Sequence, residues 1–165
     1  MRTRKYTPEN LAPMFLKAAM LRNEMLAAGF TDNGGAIHSA ERIIDILGLR
    51  LRYPALSHRN GLKNLDDAEC SVAALIARRK NKPVHIEHVQ PLRAFTAKAI
   101  EVAKPGKKGD AARLIRFVKA NYRLVLLTPQ ERTNLDRSNR SKIDPNRLAG
   151  IQIKMLKAPR KKSTQ

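Results

Sequence analysis

Residues 122–136 read Tyr122-Arg123-Leu124-Val125-Leu126-Leu127-Thr128-Pro129-Gln130-Glu131-Arg132-Thr133-Asn134-Leu135-Asp136. The first part, Tyr122 to Leu127, is a short apolar run of the kind that forms a buried strand. The second part opens with three helix-start signals that agree. Thr128 is an N-cap residue, Pro129 suits the first helical position, and Glu131 can close a capping box back onto Thr128. A strand therefore runs directly into a helix at Thr128.

Upstream, Val84-His85-Ile86-Glu87-His88-Val89 lies between Pro83 and Pro91 and reads as a second strand. Ala94–Ala103 is expected to be helical, and Pro105-Gly106-Lys107-Lys108-Gly109 to be a basic loop. Asp110 is placed to cap another helix reaching about Ala120. In the first half, Thr7-Pro8-Glu9 starts a long helix with Leu11, Met14, Phe15, Ala18 and Leu21 at helical spacing. Ser39 is expected to cap a second helix ended by Gly48. Asp66 with Glu69 suggests a capping box for a third, with Val72, Leu75 and Ile76 inward. Asp144-Pro145 suggests a further short helical turn. The fold class expected is α+β: mostly helical, with a small two-stranded antiparallel unit in the C-terminal half. The expected organisation is a helical region over 1–80, a second region over 81–156 with a helical insert, and a disordered basic tail over 157–165.

The 165 residues are 42% apolar, enough for a packed core and too many for a disordered chain. Lys and Arg number 33 against 14 Asp and Glu, a net charge of +19. Such self-repulsion points to a polyanionic partner, with nucleic acid first and an anionic membrane second. Residues 1–80 hold 13 basic and 8 acidic side chains, residues 81–165 hold 20 and 6, so polyanion contact is expected mainly in the second half. No stretch is apolar enough to span a membrane, and no secretory signal follows the basic N-terminus. The single cysteine, Cys70, forbids an intramolecular disulfide and a cysteine-cluster zinc site. A cytoplasmic protein is the expectation. Only 4% of residues are aromatic and none is Trp, which favours duplex binding over base stacking on single strands.

Glu87-His88 at the end of a strand suits metal-assisted hydrolysis. A carboxylate can hold a hard divalent cation, and a neutral imidazole can take a proton from water. Strand alternation puts the two side chains on opposite faces unless the chain turns there, and Pro91 suggests that it does. On the same reading His85 shares Glu87's face, while His38 and His58 have no assigned role and Cys70 is a small buried hydrophobe. A surface glutamate beside a packed histidine is the ordinary alternative for such a pair.

EHVQPL, followed at a distance by LVLL running into TPQERTNLD, resembles the ββα-metal finger of the HNH (His-Me finger) nucleases over roughly residues 83–142. The resemblance implies that His88 is the general base and Glu87 a metal ligand, with a further ligand from the helix after the second strand. Where members of the family carry a helix His four residues after the threonine, this chain has Arg132. By helical phase from Arg132, Asp136 lies at about +40° and Asn139 at about −20°, whereas Asn134 is near the opposite face. Asp136 therefore ranks first as the missing ligand, Asn139 second and Asn134 third; Asn139-Arg140-Ser141-Lys142 also echoes the Asn-x-x-Lys ending of the HNH branch. Without the helix histidine, oxygen ligands favour Mg²⁺ or Mn²⁺ over zinc.

The function this implies is a metal-dependent DNA endonuclease acting on double-stranded DNA. His88 activates water, Arg132 stands at the scissile phosphate, and Glu87, Asp136 and Asn139 hold one metal ion. Products would carry 5′-phosphate and 3′-hydroxyl ends. Arg137, Arg140, Lys142, Lys107 and Lys108 are the expected backbone-phosphate contacts. A homodimer would let one finger per chain cut both strands. The alternative is a non-catalytic nucleic-acid-binding protein with a degenerate finger, suggested by the charge and by the missing helix histidine.

Overall fold

The computed structural model describes residues 6–137 and 141–155. In chain order the elements are α1 (Pro8–Ala27), α2 (His38–Arg52), β1 (Glu69–Ser71), α3 (Val72–Arg79), β2 (His85–His88), α4 (Leu92–Ala103), α5 (Asp110–Asn121), β3 (Leu124–Leu127), α6 (Pro129–Asp136) and β4 (Ile153–Met155). Short 3-10 turns lie at Asp32–Gly34 and Arg59–Asn64. The fold is α+β, predominantly helical, as expected.

These elements form two compact units that interleave along the chain instead of dividing near residue 80. One comprises residues 6–56, 90–123 and 141–144; the other comprises 57–89, 124–137 and 145–155. The reason lies in the sheet, whose strands come from sequence positions more than 80 residues apart.

The first unit is helical and contains α1, α2, α4 and α5. Thr7 caps α1 by accepting from the Asn10 N–H, and Pro8 opens the helix. Ser39 does not cap α2; the N-cap lies two residues earlier, at Ile37, which makes no side-chain bond, and the helix runs past Gly48 to Arg52. Ile37 is instead fully buried, so packing sets this start. The core gathers Phe15, Ile44, Leu47, Leu114, Val118 and Tyr122, all essentially inaccessible. Phe95 packs on Phe117 at a ring-centroid distance of 5.2 Å and edge-on to Tyr122 at 6.0 Å. The buried Tyr122 hydroxyl donates to the Asp45 carboxylate at 2.6 Å, which satisfies both polar groups inside an apolar core.

The second unit is built on a four-stranded mixed sheet in the order β2-β3-β1-β4. β2 and β3 are antiparallel, β1 and β3 parallel, β1 and β4 antiparallel. A self-standing two-stranded unit is therefore not what the chain builds: β1 and β4 extend the expected pair on its far side. The Asp66–Glu69 capping box is also absent. Glu69, Cys70 and Ser71 form β1, and α3 is capped by Ser71, whose Oγ accepts from the Ala74 N–H at 2.9 Å. The backbone of Glu69–Ser71 finds its partners in β3 and β4, neither of them local in sequence. Residues 145–150 form turns and no helix. Val89, Val125, Leu127 and Leu135 make the core on the α6 face, joined by Leu148, Ile151 and Ile153. Cys70 is fully buried, and loss of water around its thiol raises its pKa, so the sulfur is a packing group.

Candidate functional site

The β3–α6 junction forms as its residues dictate. Thr128 Oγ1 accepts from the Glu131 N–H at 3.3 Å, and Glu131 Oε2 accepts from the Thr128 N–H at 2.9 Å, completing the capping box. The same oxygen accepts from Ser71 Oγ at 2.6 Å. One carboxylate thus ties the start of α6 to the residue that caps α3. Leu135 anchors the other end of α6 in the core.

This geometry fixes the position of Arg132. In the β2–β3 register Glu87 lies opposite Val125 and His85 opposite Leu127. Cross-strand partners share a face, so Glu87 and His85 stand on the α6 side with Val125 and Leu127. Arg132 Nε forms an ion pair with Glu87 Oε1 at 2.7 Å, its Nη1 lies 3.4 Å from His85 Nδ1, and Asp136 Oδ2 is 3.9 Å from Nε. The Glu87 carboxylate is largely shielded, at 17% side-chain exposure, so this pair is more than a solvated surface contact. His88 lies opposite Leu124 and alternates to the other side of the strand. Its carbonyl accepts from Arg147 Nη1 at 2.9 Å, which pins the end of β2.

β2 is an edge strand, and its open edge makes Glu87 and His88 neighbours in one site despite their opposite faces. The Arg59–Asn64 turn lies against β2. A recess of about 300 Å³ there is lined by Arg59, Asn60, Lys63, His85, Ile86, Glu87, His88 and Arg132. Three permanent cations and two imidazoles thus face a single carboxylate. The turn is anchored by the fully buried Leu62. It is capped by His58, whose Nδ1 accepts from the Asn60 N–H at 3.2 Å.

Of the residues expected from sequence, Glu87, His88, His85 and Arg132 come together. Asp136 sits beside Arg132, as its helical phase requires, while Asn134 turns away and accepts from Gln130 Nε2. Arg137 is an exposed residue at the end of α6. Lys107, Lys108 and Lys142 belong to the helical unit and do not line the recess. Asn139 and Arg140 lie outside the described residues. Sequence reasoning missed Arg59, Asn60 and Lys63, to which no motif pointed. His58, assigned no role, turns out to cap that segment. The only signal available was a His-Arg-Asn-Gly run of turn-forming residues before Leu62.

As arranged, the side chains do not fit a divalent metal. Among the described residues no three His, Cys, Asp or Glu converge, and the one recess carboxylate is already matched by a guanidinium at 2.7 Å. A hard cation needs several oxygen ligands in the position Arg132 occupies. Searches of family models, curated proteins and solved structures found no match to the chain. Among the described residues no helix is long and apolar enough to cross a membrane.

Proposed function

We propose that the protein is a DNA endonuclease of the His-Me finger type, with His88 as general base at the edge of β2. The observation that carries this reading is the recess itself: Arg59, Lys63, Arg132, His85, His88 and Glu87 around one space large enough for a phosphodiester. Support also comes from the order of the parts, an antiparallel strand pair followed by a capped helix. In this reading Arg59, Lys63 and Arg132 hold the scissile phosphate, since converging cationic N–H donors match phosphate oxygens and the charge that develops on them. His88 takes the proton of the attacking water. Glu87 holds the Arg132 guanidinium in place through its 2.7 Å contact. Cutting both strands of a duplex with one recess per chain calls for two copies.

A second reading is favoured by the same Arg132–Glu87 pair. If the guanidinium only grips the phosphate and His88 activates no water, the protein binds nucleic acid without cutting it. One assay separates the two. Plasmid DNA is incubated with the full chain in Mg²⁺, Mn²⁺ or EDTA, and wild type is compared with His88→Ala. Nicking that falls by about 100-fold or more in His88→Ala is the expected result, the usual scale for losing a general base. Equal cleavage by both proteins would remove His88 from the chemistry. Intact plasmid under every condition, with salt-sensitive binding retained, would leave the binding reading.

A further inference from the structure

We infer that Arg132 replaces the divalent cation of this site, so that the recess takes a nucleic-acid phosphate with no metal ion bound. The inference rests on the recess being the nucleic-acid site and adds what supplies its positive charge. Three observations converge on it. Arg132 lies on α6, in the turn that the capping box and Leu135 hold rigid at both ends. Its Nε is 2.7 Å from Glu87 and 3.9 Å from Asp136, so the acidic groups of α6 and β2 that would grip a metal flank a guanidinium. Arg59 and Lys63 line the same recess from the Arg59–Asn64 turn and bring its Lys and Arg side chains to three. A divalent ion entering here would meet that positive charge at close range and would have to displace the Arg132–Glu87 pair to reach its first oxygen ligand. A phosphodiester meets the reverse situation, because a guanidinium orients its N–H donors in a planar fork that matches phosphate oxygens. Glu87 holds Arg132 at Nε, along one edge of that fork, and so acts as a positioning residue for it.

The test uses the full chain, a short labelled DNA duplex and fluorescence anisotropy at constant ionic strength. Wild-type affinity in EDTA is expected to match that in Mg²⁺ or Mn²⁺ within about twofold. Arg132→Lys keeps the charge but loses the fork, and is expected to weaken binding in EDTA about fivefold to tenfold, the scale of a charged hydrogen-bonded contact. Circular dichroism checks that the variant is folded. Arg116→Lys, an exposed change on α5, sets the baseline for altering any one guanidinium. Calorimetry with Mn²⁺ alone is expected to show no saturable site on wild type and a new one on Arg132→His. A tenfold gain in wild-type DNA affinity with Mg²⁺ or Mn²⁺ would overturn the inference. So would a saturable Mn²⁺ site on wild type, or Arg132→Lys behaving like Arg116→Lys. None of these readouts depends on cleavage. A plasmid cut only in Mg²⁺ would sink this inference and leave the nuclease reading standing, whereas metal-independent binding without cleavage would do the opposite.

Discussion

Gly48 in α2 faces the ring of Tyr122, and the substitution Gly48→Ala measures how tightly the helical unit is packed. A methyl group built at Gly48 falls within 2.5 Å of Cγ, Cδ2 and Cε2 of that ring, well inside van der Waals contact. These are not the far atoms of a flexible chain. Tyr122 is 2% exposed, packs edge-on to Phe95, and donates its hydroxyl to Asp45 at 2.6 Å. The ring must retreat by a substantial fraction of an ångström in a close-packed interior. Overpacking of that kind costs about 1–3 kcal/mol. Breaking the tyrosine–carboxylate bond as the ring moves costs about 1.5–3 kcal/mol more. The higher helix propensity of alanine returns about 1 kcal/mol. The net expectation is a loss of about 1.5–5 kcal/mol, read as a fall in Tm of roughly 3–20 °C for a chain of this size. Thermal and urea unfolding followed by circular dichroism measure it. In a Tyr122→Ala background the methyl meets no ring, and Gly48→Ala should become neutral or stabilising. A Gly48→Ala protein that melts within about 1 °C of wild type would refute the packing argument.

Glu131→Ala removes the acceptor shared by Ser71 Oγ, Thr128 Oγ1 and the Thr128 N–H, and should lower the urea midpoint by an amount equivalent to about 1–3 kcal/mol. Thr128→Ala in the same background should then cost little, since the two share one network; fully additive losses would show that the network is not coupled. The Arg22 guanidinium, 2.7 Å from Asp32, holds that carboxyl below the usual carboxylate range. A lowered folded-state pKa stabilises the fold above the unfolded value of about 3.9 and loses that contribution as pH falls through the folded value. The stability gap between wild type and Asp32→Asn should therefore be full at pH 6 and close on acidification below about pH 4. A gap that widens in acid would contradict the pairing.

The site was legible from sequence where its signals were local. Thr128-Pro129-Gln130-Glu131 starts α6 through bonds among neighbours, whereas the turn expected from Pro91 does not bring Glu87 and His88 to one face, because β2 runs in regular register through His88. Helical phase put Asp136 beside Arg132 and Asn134 away from it. Signals from short strands were weaker. Glu69–Ser71 and Ile153–Met155 span three residues each, too few for a two-residue period to stand out, although Ile151-Gln152-Ile153-Lys154 does alternate.

By itself the sequence determined an α+β chain with excess positive charge and a strand-to-helix junction at Thr128. Those features depend on composition and on contacts within a few residues, which a linear string records. The tertiary structure alone decided that β1 and β4 complete the sheet, that the two units interleave along the chain, and that Arg59 and Lys63 line one recess with Arg132 beside β2. Each of these joins segments separated by tens of residues, where pairing follows from burial and from backbone hydrogen bonds formed only once the chain has closed on itself.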